Sequence, residues 1–454
     1  MSAIIPPASE IPLGQRMMER VKGIEEESQC DKAIFDALDE VIAGEKVAKK
    51  VLFYSGLTRN LESKLHVFLM GKSQRGKSFC QSQIGRYLFG AYLEDITDMS
   101  PKAIYYETKQ RNNPALYKDK IAIFDEFNDH PDDTKSFIKK WASHKRGTMT
   151  HKTLDEKKKF LEIKLEGAPV IWTNSMELVE DVGNQIHNRF FKLNVDESLT
   201  QAKTVEKYQI REETFGSAIV EEKLKRGQAA VNYILEGGNF ILWNPFAEFI
   251  QQKDYSTLNQ RPMLHTLLSG IAYSHWRWRP WYESNGQRVL FAALTDVYQA
   301  IELWNANEVY QRLAIPDYLR KLLDVLETEY GLTKFQMADV YYEKYKEKIS
   351  ADTCYNYAKK LEANNLATSR RCDDAENPRA LEWVSTISTI STVELLDFNK
   401  KLLAETVSLQ FAASPLSILN LNENDIEAAV GRLLNDQLPS EKASKGSPQT
   451  TFAR

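Results

Sequence analysis

The chain has 454 residues, of which 43% are hydrophobic and 27% are charged, so it has room for two or three globular domains with sizeable cores. Its net charge of −4 excludes nucleic-acid binding through bulk positive charge, and any such binding must come from local basic patches. The four cysteines are scattered without a C-x-x-C pair, which argues against a zinc ribbon or a disulfide framework. No apolar run reaches transmembrane length. We expect a soluble cytoplasmic protein with no membrane partner.

The first predicted elements are helical. Residues 1–30 are expected to be a flexible segment, and apolar residues between about 11 and 56 recur at helical spacing. Short apolar strands then alternate with helical segments over residues 64–195, which predicts an α/β core with a parallel sheet. Residues 200–310 are predicted to be mostly helical.

A phosphate-binding loop follows the predicted strand Leu65–Met70. The stretch "GKSQRGKS" has the spacing G-x-x-x-x-G-K-S. In such a loop the backbone N–H groups surround phosphates, Lys77 reaches the β- and γ-phosphates, and the Ser78 hydroxyl holds Mg²⁺. The residues predicted to bind nucleotide are Gly71, Lys72, Ser73, Gln74, Arg75, Gly76, Lys77 and Ser78. The segment "SFCQSQIGRYLFG" is predicted to be the helix that the motif requires, with Phe79, Ile84, Tyr87 and Leu88 facing inward.

An acidic pair follows the second apolar strand, 121–124, in "KIAIFDEFNDH". Ligands of open α/β sheets bind at the carboxyl ends of strands. There Asp125 can complete the Mg²⁺ shell opposite Ser78, and Glu126 can polarise the attacking water. The alternative is that the two acidic residues only solvate a strand end. We favour this alternative less because a phosphate-binding loop precedes the pair.

Two further polar residues accompany apolar strands. Asn174 follows the predicted strand 168–172 in "APVIWTNS" and could orient the lytic water, although a turn-forming asparagine is the alternative. Arg189 precedes the next strand in "HNRFFKLNV". Ring-forming ATPases offer an arginine from such a position to the nucleotide of the neighbouring subunit.

These motifs and their order resemble the AAA+ ATPases, and within that class the minichromosome maintenance (MCM) helicases. The stretch "VIAGEKVAKKVLFYSGL" is similar to the MCM helix before the P-loop. "FDEFNDH" is similar to the Walker B signature, and "NRFFKL" to the arginine-finger motif. "NQRPMLHTLLSGIAYSHWRWR" is similar to the lid helix with its sensor-two arginine. The resemblance covers roughly residues 30–310.

The resemblance implies an AAA+ P-loop NTPase core (31–198), a helical lid (199–312), a winged-helix domain (313–386) and a helical extension with a disordered tail (387–454). It implies ATP and Mg²⁺ as cofactors and a homo-oligomeric ring, with a hexamer expected. The catalytic residues that it implies are Lys77, Asp125, Glu126, Asn174 as the sensor, Arg189 as the finger in trans, and Arg261 as the lid arginine, with Arg277 and Arg279 as alternatives to Arg261. Ser78 and Asp125 are the implied metal ligands.

The segment before the entry helix is short, so we expect no OB-fold and zinc-ribbon module of the MCM type, and the P-loop centre "KSQR" is bulkier than is usual in the family. We therefore expect a minimal form of the kind that plasmids, viruses or mobile elements carry.

Two basic regions are candidates for contact with DNA. The first is a predicted hairpin before the sensor strand, for which an exposed charged loop is the alternative. The second is the winged helix, for which a protein-interaction role is the alternative. The candidate residues are Lys145, Arg146, Lys152, Lys157, Lys158 and Lys159 in the hairpin, and Lys359, Lys360, Arg370 and Arg371 in the winged helix.

The sequence thus predicts an ATP-driven DNA helicase for replication that threads a single strand through its ring. An origin-recognition ATPase that binds duplex DNA without unwinding it is the main alternative, but such initiators generally lack the basic insert before the sensor strand. Transcription activators and a scaffold with an inactive pocket rank lower. Two helical stretches are expected within residues 386–436, around "VELLDFNKKLLAETV" and "ENDIEAAVGRLLND".

Overall fold

The computed structural model describes residues 27–71, 76–96, 100–143, 148–154, 160–175, 189–195, 199–215, 220–252, 260–284, 287–307, 317–328, 331–363, 367–371, 381–385 and 393–396. The described helices are α1 Glu27–Val41, α2 Lys46–Leu57, α3 Lys77–Phe89, α4 Pro101–Gln110, α5 Asp132–Ser143, α6 Leu199–Phe215, α7 Val220–Leu235, α8 Gln260–Ser274, α9 Leu294–Ala306, α10 Asp317–Thr328, α11 Lys334–Tyr345 and α12 Ala351–Ala363. The described strands are β1 His66–Met70, β2 Leu93–Asp95, β3 Ile121–Phe124, β4 Thr148–Leu154, β5 Phe160–Glu166, β6 Val170–Ser175, β7 Phe190–Asn194, β8 Ile241–Trp243, β9 Ile250–Gln252, β10 Trp281–Ser284, β11 Gln287–Phe291, β12 Leu332–Thr333, β13 Ala367–Arg371, β14 Leu381–Ser385 and β15 Val393–Leu395.

Five strands form the central sheet in the order β2-β3-β6-β1-β7, and each neighbouring pair is parallel. β1 and β3 are buried along their whole length, which explains their uninterrupted apolar sequences. Side chains alternate between the two faces of the sheet. In β1, Val67 and Leu69 join the core on the side of α1, α2 and α3, whereas Phe68 and Met70 join the core on the side of α4 and α5.

Helix α3 corrects one detail of the sequence prediction. Ile84 and Leu88 are buried as expected and Tyr87 is half-buried, but 51% of Phe79 is exposed. Phe79 lies five residues before Ile84, which places it about 140° around the helix from the buried face. On the neighbouring helix α2, Ser55 accepts a hydrogen bond of 2.8 Å from the indole N–H of Trp172 in β6, which fixes this helix against the sheet.

Strand β6 extends further than the predicted strand 168–172. Thr173 and Asn174 lie inside it rather than after it, because β6 pairs with β1 as far as Met70 opposite Ser175. A two-stranded antiparallel hairpin, β4–β5, precedes β6 along the chain. Its Met149, Ile163 and Leu165 join the core beside α4 and α5.

The region predicted to be mostly helical, 200–310, contains α6 to α9 and also a three-stranded sheet in the order β10-β11-β8. Strand β9 pairs with β15, opposing Ile250 to Leu395. The helix expected from "VELLDFNKK" is therefore wrong at its start, because the alternating side chains Val393, Glu394 and Leu395 form a strand on β9. The later residues of both predicted helical stretches lie outside the described residues.

Residues 317–385 contain α10, α11 and α12 and an antiparallel sheet in the order β12-β14-β13. They enclose a separate core that includes Leu322, Tyr341 and Trp383. The hydroxyl of Ser350 accepts a hydrogen bond of 3.1 Å from the Thr353 N–H, as the predicted N-cap of α12 requires. Within the described ranges, no helix combines the length and the apolar character needed to cross a bilayer. The domain limits stay a prediction.

Candidate nucleotide-binding site

The site residues meet at one edge of the central sheet because three adjacent strands, β3, β6 and β1, end there. Gly71 follows β1, Asp125 follows β3, and Asn174 lies opposite Leu69 near the end of β6. Since parallel strands present their carboxyl ends at the same edge, the sheet brings three separate sequence motifs into contact.

The P-loop enters α3 through Gly76, which has a φ of +82°. A Cβ atom there would meet no neighbour within 4 Å, so the left-handed backbone is the reason for glycine at this position. The buried Lys77 donates a hydrogen bond of 2.9 Å from Nζ to the Gly71 carbonyl, and its Nζ lies 3.9 Å from Glu126 Oε1. The predicted loop residues Lys72, Ser73, Gln74 and Arg75 lie outside the described residues.

Ser78 and Asp125 are in direct contact. The Ser78 hydroxyl donates a hydrogen bond of 2.6 Å to Asp125 Oδ1. A hydroxyl and a carboxylate oxygen at this spacing are hard ligands of the type that Mg²⁺ prefers, and Mg²⁺ takes the rest of its shell from water and nucleotide phosphates. The two predicted metal ligands therefore fit the ion.

Asn174 connects the two acidic residues. Its side-chain N–H₂ donates to Asp125 Oδ1 at 2.6 Å, and its Oδ1 accepts a hydrogen bond of 3.4 Å from the Glu126 backbone N–H. This arrangement orients the Asp125 carboxylate and the turn that carries Glu126. Asn174 is fully buried within β6, so it is not a surface turn residue.

Sequence reasoning missed Gln81, which is fully buried one turn after Lys77 on α3. Its Oε1 accepts a hydrogen bond of 2.8 Å from Asn174 Nδ2, and its Nε2 donates to the Thr173 carbonyl at 2.9 Å. The two bonds hold the Asn174 amide in one orientation. The signal was a glutamine four residues after Lys77, on the helix face directed at the sheet.

Glu126 has a left-handed backbone, with a φ of +39°. Burial raises the pKa of its carboxyl, the nearby Asp125 and Asp129 raise it further, and Lys77 opposes them. A carboxylate with a raised pKa is a better proton acceptor than a solvated one, and this suits a residue that polarises water.

Arg189 lies beside the amino ends of the parallel strands, whereas the P-loop lies at their carboxyl ends. It precedes Phe190, which pairs with His66 at the start of β1. Arg189 therefore lies about 20 Å, six residues of strand, from Gly71 of the same chain. It is half-buried, and its Nε donates a hydrogen bond to the Ser143 hydroxyl.

The three candidate lid arginines have different surroundings. Arg261 is exposed and donates a hydrogen bond of 2.7 Å to the Ala247 carbonyl. Arg277 binds Glu236 at 2.6 Å, and its guanidinium stacks 3.6 Å from the centre of the Tyr233 ring. The buried Arg279 makes two hydrogen bonds, of 2.7 and 2.8 Å, to Asp296. Arg277 and Arg279 are thus held inside the structure, whereas Arg261 is accessible.

The candidate DNA contacts are only partly described. Lys152 is exposed on β4, and Lys145, Arg146, Lys157, Lys158 and Lys159 lie outside the described residues.

In the second basic region, Lys359 binds Glu362 at 2.8 Å, and Arg370 binds Glu382 at 3.0 Å. Lys360 donates to the Tyr318 hydroxyl at 3.1 Å. Arg371 is exposed. Three of these four cations therefore already have a partner inside the chain.

Comparison with known proteins agrees with this geometry. Residues 18–231 match the family model described as the MTBMA_p00010 P-loop domain. This part of the chain is a P-loop domain. The match includes every strand of the central sheet and ends within α7. Such domains generally bind a nucleotide with Mg²⁺, which indicates NTPase activity. No curated protein gives a significant match to the chain.

Proposed function

We propose that the chain is an ATP-driven, ring-forming DNA helicase for replication, a minimal relative of the MCM helicases of the kind that mobile elements carry. Hydrolysis rests on the contact of Ser78, Asp125 and Asn174, because residues that are distant in sequence converge on one Mg²⁺-compatible cluster. Lys77 binds the β- and γ-phosphates, Glu126 polarises the attacking water, and Asn174 orients both acidic residues.

The position of Arg189 supports a ring. Because Arg189 lies about 20 Å from the P-loop of its own chain, a nucleotide on which it acts must belong to another subunit. A head-to-tail contact between copies supplies such a partner, and repeated contacts of this type close into rings. Arg261, accessible on α8, is the proposed lid arginine.

The hairpin β4–β5 is the observation that favours a helicase. It lies between α5 and β6, and β6 carries Asn174 of the nucleotide site. The exposed Lys152 is on the hairpin. A change in the site can thus reach the hairpin through β6. Lysines on loops of a ring channel contact the phosphates of the strand that passes through.

Residues 317–385 are proposed to be a winged helix. Three helices followed by β13 and β14, with β12 completing the sheet, are consistent with that fold. We propose α12 and the segment between β13 and β14 as its DNA-contacting parts. The pairing of Lys359 and Arg370 with glutamates weakens their candidacy, so Arg371 and Lys360 come first.

The rival function is an origin-recognition ATPase that binds duplex DNA without unwinding it. The P-loop site and a winged helix are compatible with both functions, so the hairpin is the feature that distinguishes a helicase from an initiator. A switch that only binds duplex DNA has no use for an element that contacts a translocating strand.

A strand-displacement assay on a forked duplex tests the proposal. The wild-type chain with ATP is compared with Glu126→Gln, which keeps the fold and removes the proton acceptor. Displacement by the wild type that Glu126→Gln lacks supports a helicase. Tight ATP-dependent binding of duplex DNA without displacement would support the initiator instead.

A further inference from the structure

The hairpin β4–β5 has two faces of opposite character. Met149, Ile163 and Leu165 point into the core. We call the other side the outer face. All of its residues are exposed, namely Thr148, Thr150, Lys152 and Leu154 on β4 and Phe160, Glu162, Lys164 and Glu166 on β5. Successive side chains of a strand point to opposite sides, so each strand contributes residues to both faces.

Two large apolar residues lie on the outer face where polar ones are expected. Leu154 and Phe160 are cross-strand partners at the end of the ribbon. They are 59% and 70% exposed, and Phe160 is the most exposed large hydrophobic residue in the described part of the chain. Neither belongs to a core cluster. Packing within the described residues therefore does not explain why these two exposed positions are apolar.

The charge beside this pair indicates what they contact. Lys152 is on the same face, two residues before Leu154 and directly opposite Glu162. Within the described residues Glu162 forms its ion pair with Lys164, at 3.8 Å, and Lys152 forms none. It is the diagonal neighbour of Phe160, about 7–8 Å away. An exposed aromatic ring beside a lysine suits single-stranded nucleic acid, in which a base stacks on the ring and a phosphate meets the amino group.

A protein partner fits this surface less well. Specific protein interfaces need a wide patch with an apolar centre. Here the apolar pair is bordered by Lys152 and Glu162 on the same face.

We propose that Phe160 stacks on a base of a single nucleic-acid strand, with Leu154 supporting the ring from the opposite strand and Lys152 on the adjacent phosphate. The proposal rests on the proposed function, because it requires that a strand passes the hairpin. It adds a base contact to the phosphate contacts expected from lysines alone. Such stacking tolerates any base sequence, since every base has a flat face.

The test uses the full chain and a thymidine oligonucleotide that carries one bromodeoxyuridine. Binding is measured by fluorescence anisotropy, and irradiation with peptide mapping locates the crosslink. Phe160→Ala is expected to weaken binding roughly 5- to 150-fold. Phe160→Trp should restore binding, and Phe160→Leu should not, because leucine keeps apolar bulk without a ring. Tyr298→Ala is the matched control, since Tyr298 is an aromatic residue 56% exposed on α9, outside both candidate DNA-binding regions, and it should bind like the wild type.

The crosslink is expected at Phe160 in the wild type. Equal affinity of Phe160→Leu and the wild type would overturn stacking. So would a loss of oligomer mass by Phe160→Ala in sedimentation, which would make the pair a contact between copies.

Failure of the two proposals can be told apart. If the wild type neither binds the oligonucleotide nor displaces a strand, the helicase is wrong and the base contact with it. If the wild type displaces strands and Phe160→Ala does so equally well with equal affinity, only the base contact is wrong.

Discussion

Asn174 shows how much of the site depends on one amide. It donates to Asp125 and Gln81 and accepts from the backbone of Glu126. A polar group that is buried with all its partners rigidifies its surroundings, and its removal leaves those partners without hydrogen bonds. In the proposed mechanism, we therefore expect Asn174 to act on the water and the metal mainly by fixing the two acidic residues.

The first residue-scale prediction concerns this amide. Asn174→Ala should lower kcat for ATP hydrolysis by about 10²-fold, as loss of one preorganised donor does. The Kd for nucleotide should change little, because Lys77 and the P-loop remain. Steady-state hydrolysis and equilibrium binding of a fluorescent ATP analogue measure the two quantities.

Gln81→Leu provides the comparison for Asn174→Ala. It removes the support of the amide but leaves the amide itself, so its kcat should lie between those of the wild type and Asn174→Ala. A kcat unchanged in Asn174→Ala would show that the contacts of this residue are structural only.

At the scale of elements, a buried ionic cluster joins α1 to the region of α8 and α9. His275, after α8, lies 3.1 Å from Asp296 of α9 and 3.2 Å from Asp31 of α1. Burial alone would lower the pKa of His275, but the hydrogen bonds to Asp296 and Asp31 outweigh it and raise the pKa to about 9. His275 is therefore charged at neutral pH, and Arg279 completes the cluster on Asp296.

This cluster predicts a pH dependence of stability. The pKa of His275 is higher in the folded chain than its ordinary 6.5, so its contribution is complete below pH 6.5 and is lost as the pH rises to about 9. The thermal midpoint of the wild type should fall over that window. His275→Gln should have a midpoint several degrees lower at pH 6 and a flatter profile.

Thermal unfolding followed by circular dichroism at pH 6, 7.5 and 9 measures this effect. His265→Gln is the control histidine, because burial lowers the pKa of His265 and the neighbouring cation Arg261 lowers it further. Parallel pH profiles for His275→Gln and the wild type would refute the assignment.

The same scale shows what the sequence could predict. The strands β1 and β3 are continuous apolar runs bounded by polar motifs. The sequence alone therefore predicts their positions and the candidate site at their ends. Strand β8 has three residues, and β15 pairs with β9, which lies about 140 residues earlier in the chain. Both therefore depend on tertiary partners that no local pattern reveals. Gln81 and Phe160 escaped notice for a related reason, since their importance depends on which side chains they face.

At the scale of the whole molecule, the charge of −4 places all attraction for nucleic acid in local patches. In residues 317–385, Lys359 and Arg370 are paired with glutamates, whereas Lys152 on the outer face is exposed. A ring would bring the copies of this face together around one axis. Affinity for a strand should then depend on assembly, because each copy alone contributes few phosphate contacts.

The proposed division of the site between copies gives the last prediction. Glu126→Gln and Arg189→Ala should each abolish ATP hydrolysis when assayed alone. In a 1:1 mixture whose copies exchange, one contact in four joins an intact Glu126 to an intact Arg189, because the two defects lie on opposite sides of the contact. Hydrolysis should therefore return to about one quarter of the wild-type rate if the sites act independently. A mixture of Lys77→Ala and Glu126→Gln is the matched control and should stay inactive, since both residues belong to the same P-loop side and no contact regains both. Energy transfer between labelled copies verifies exchange. Equal rates in the two mixtures, with exchange verified, would place Arg189 outside the shared site and leave the ring without its structural argument.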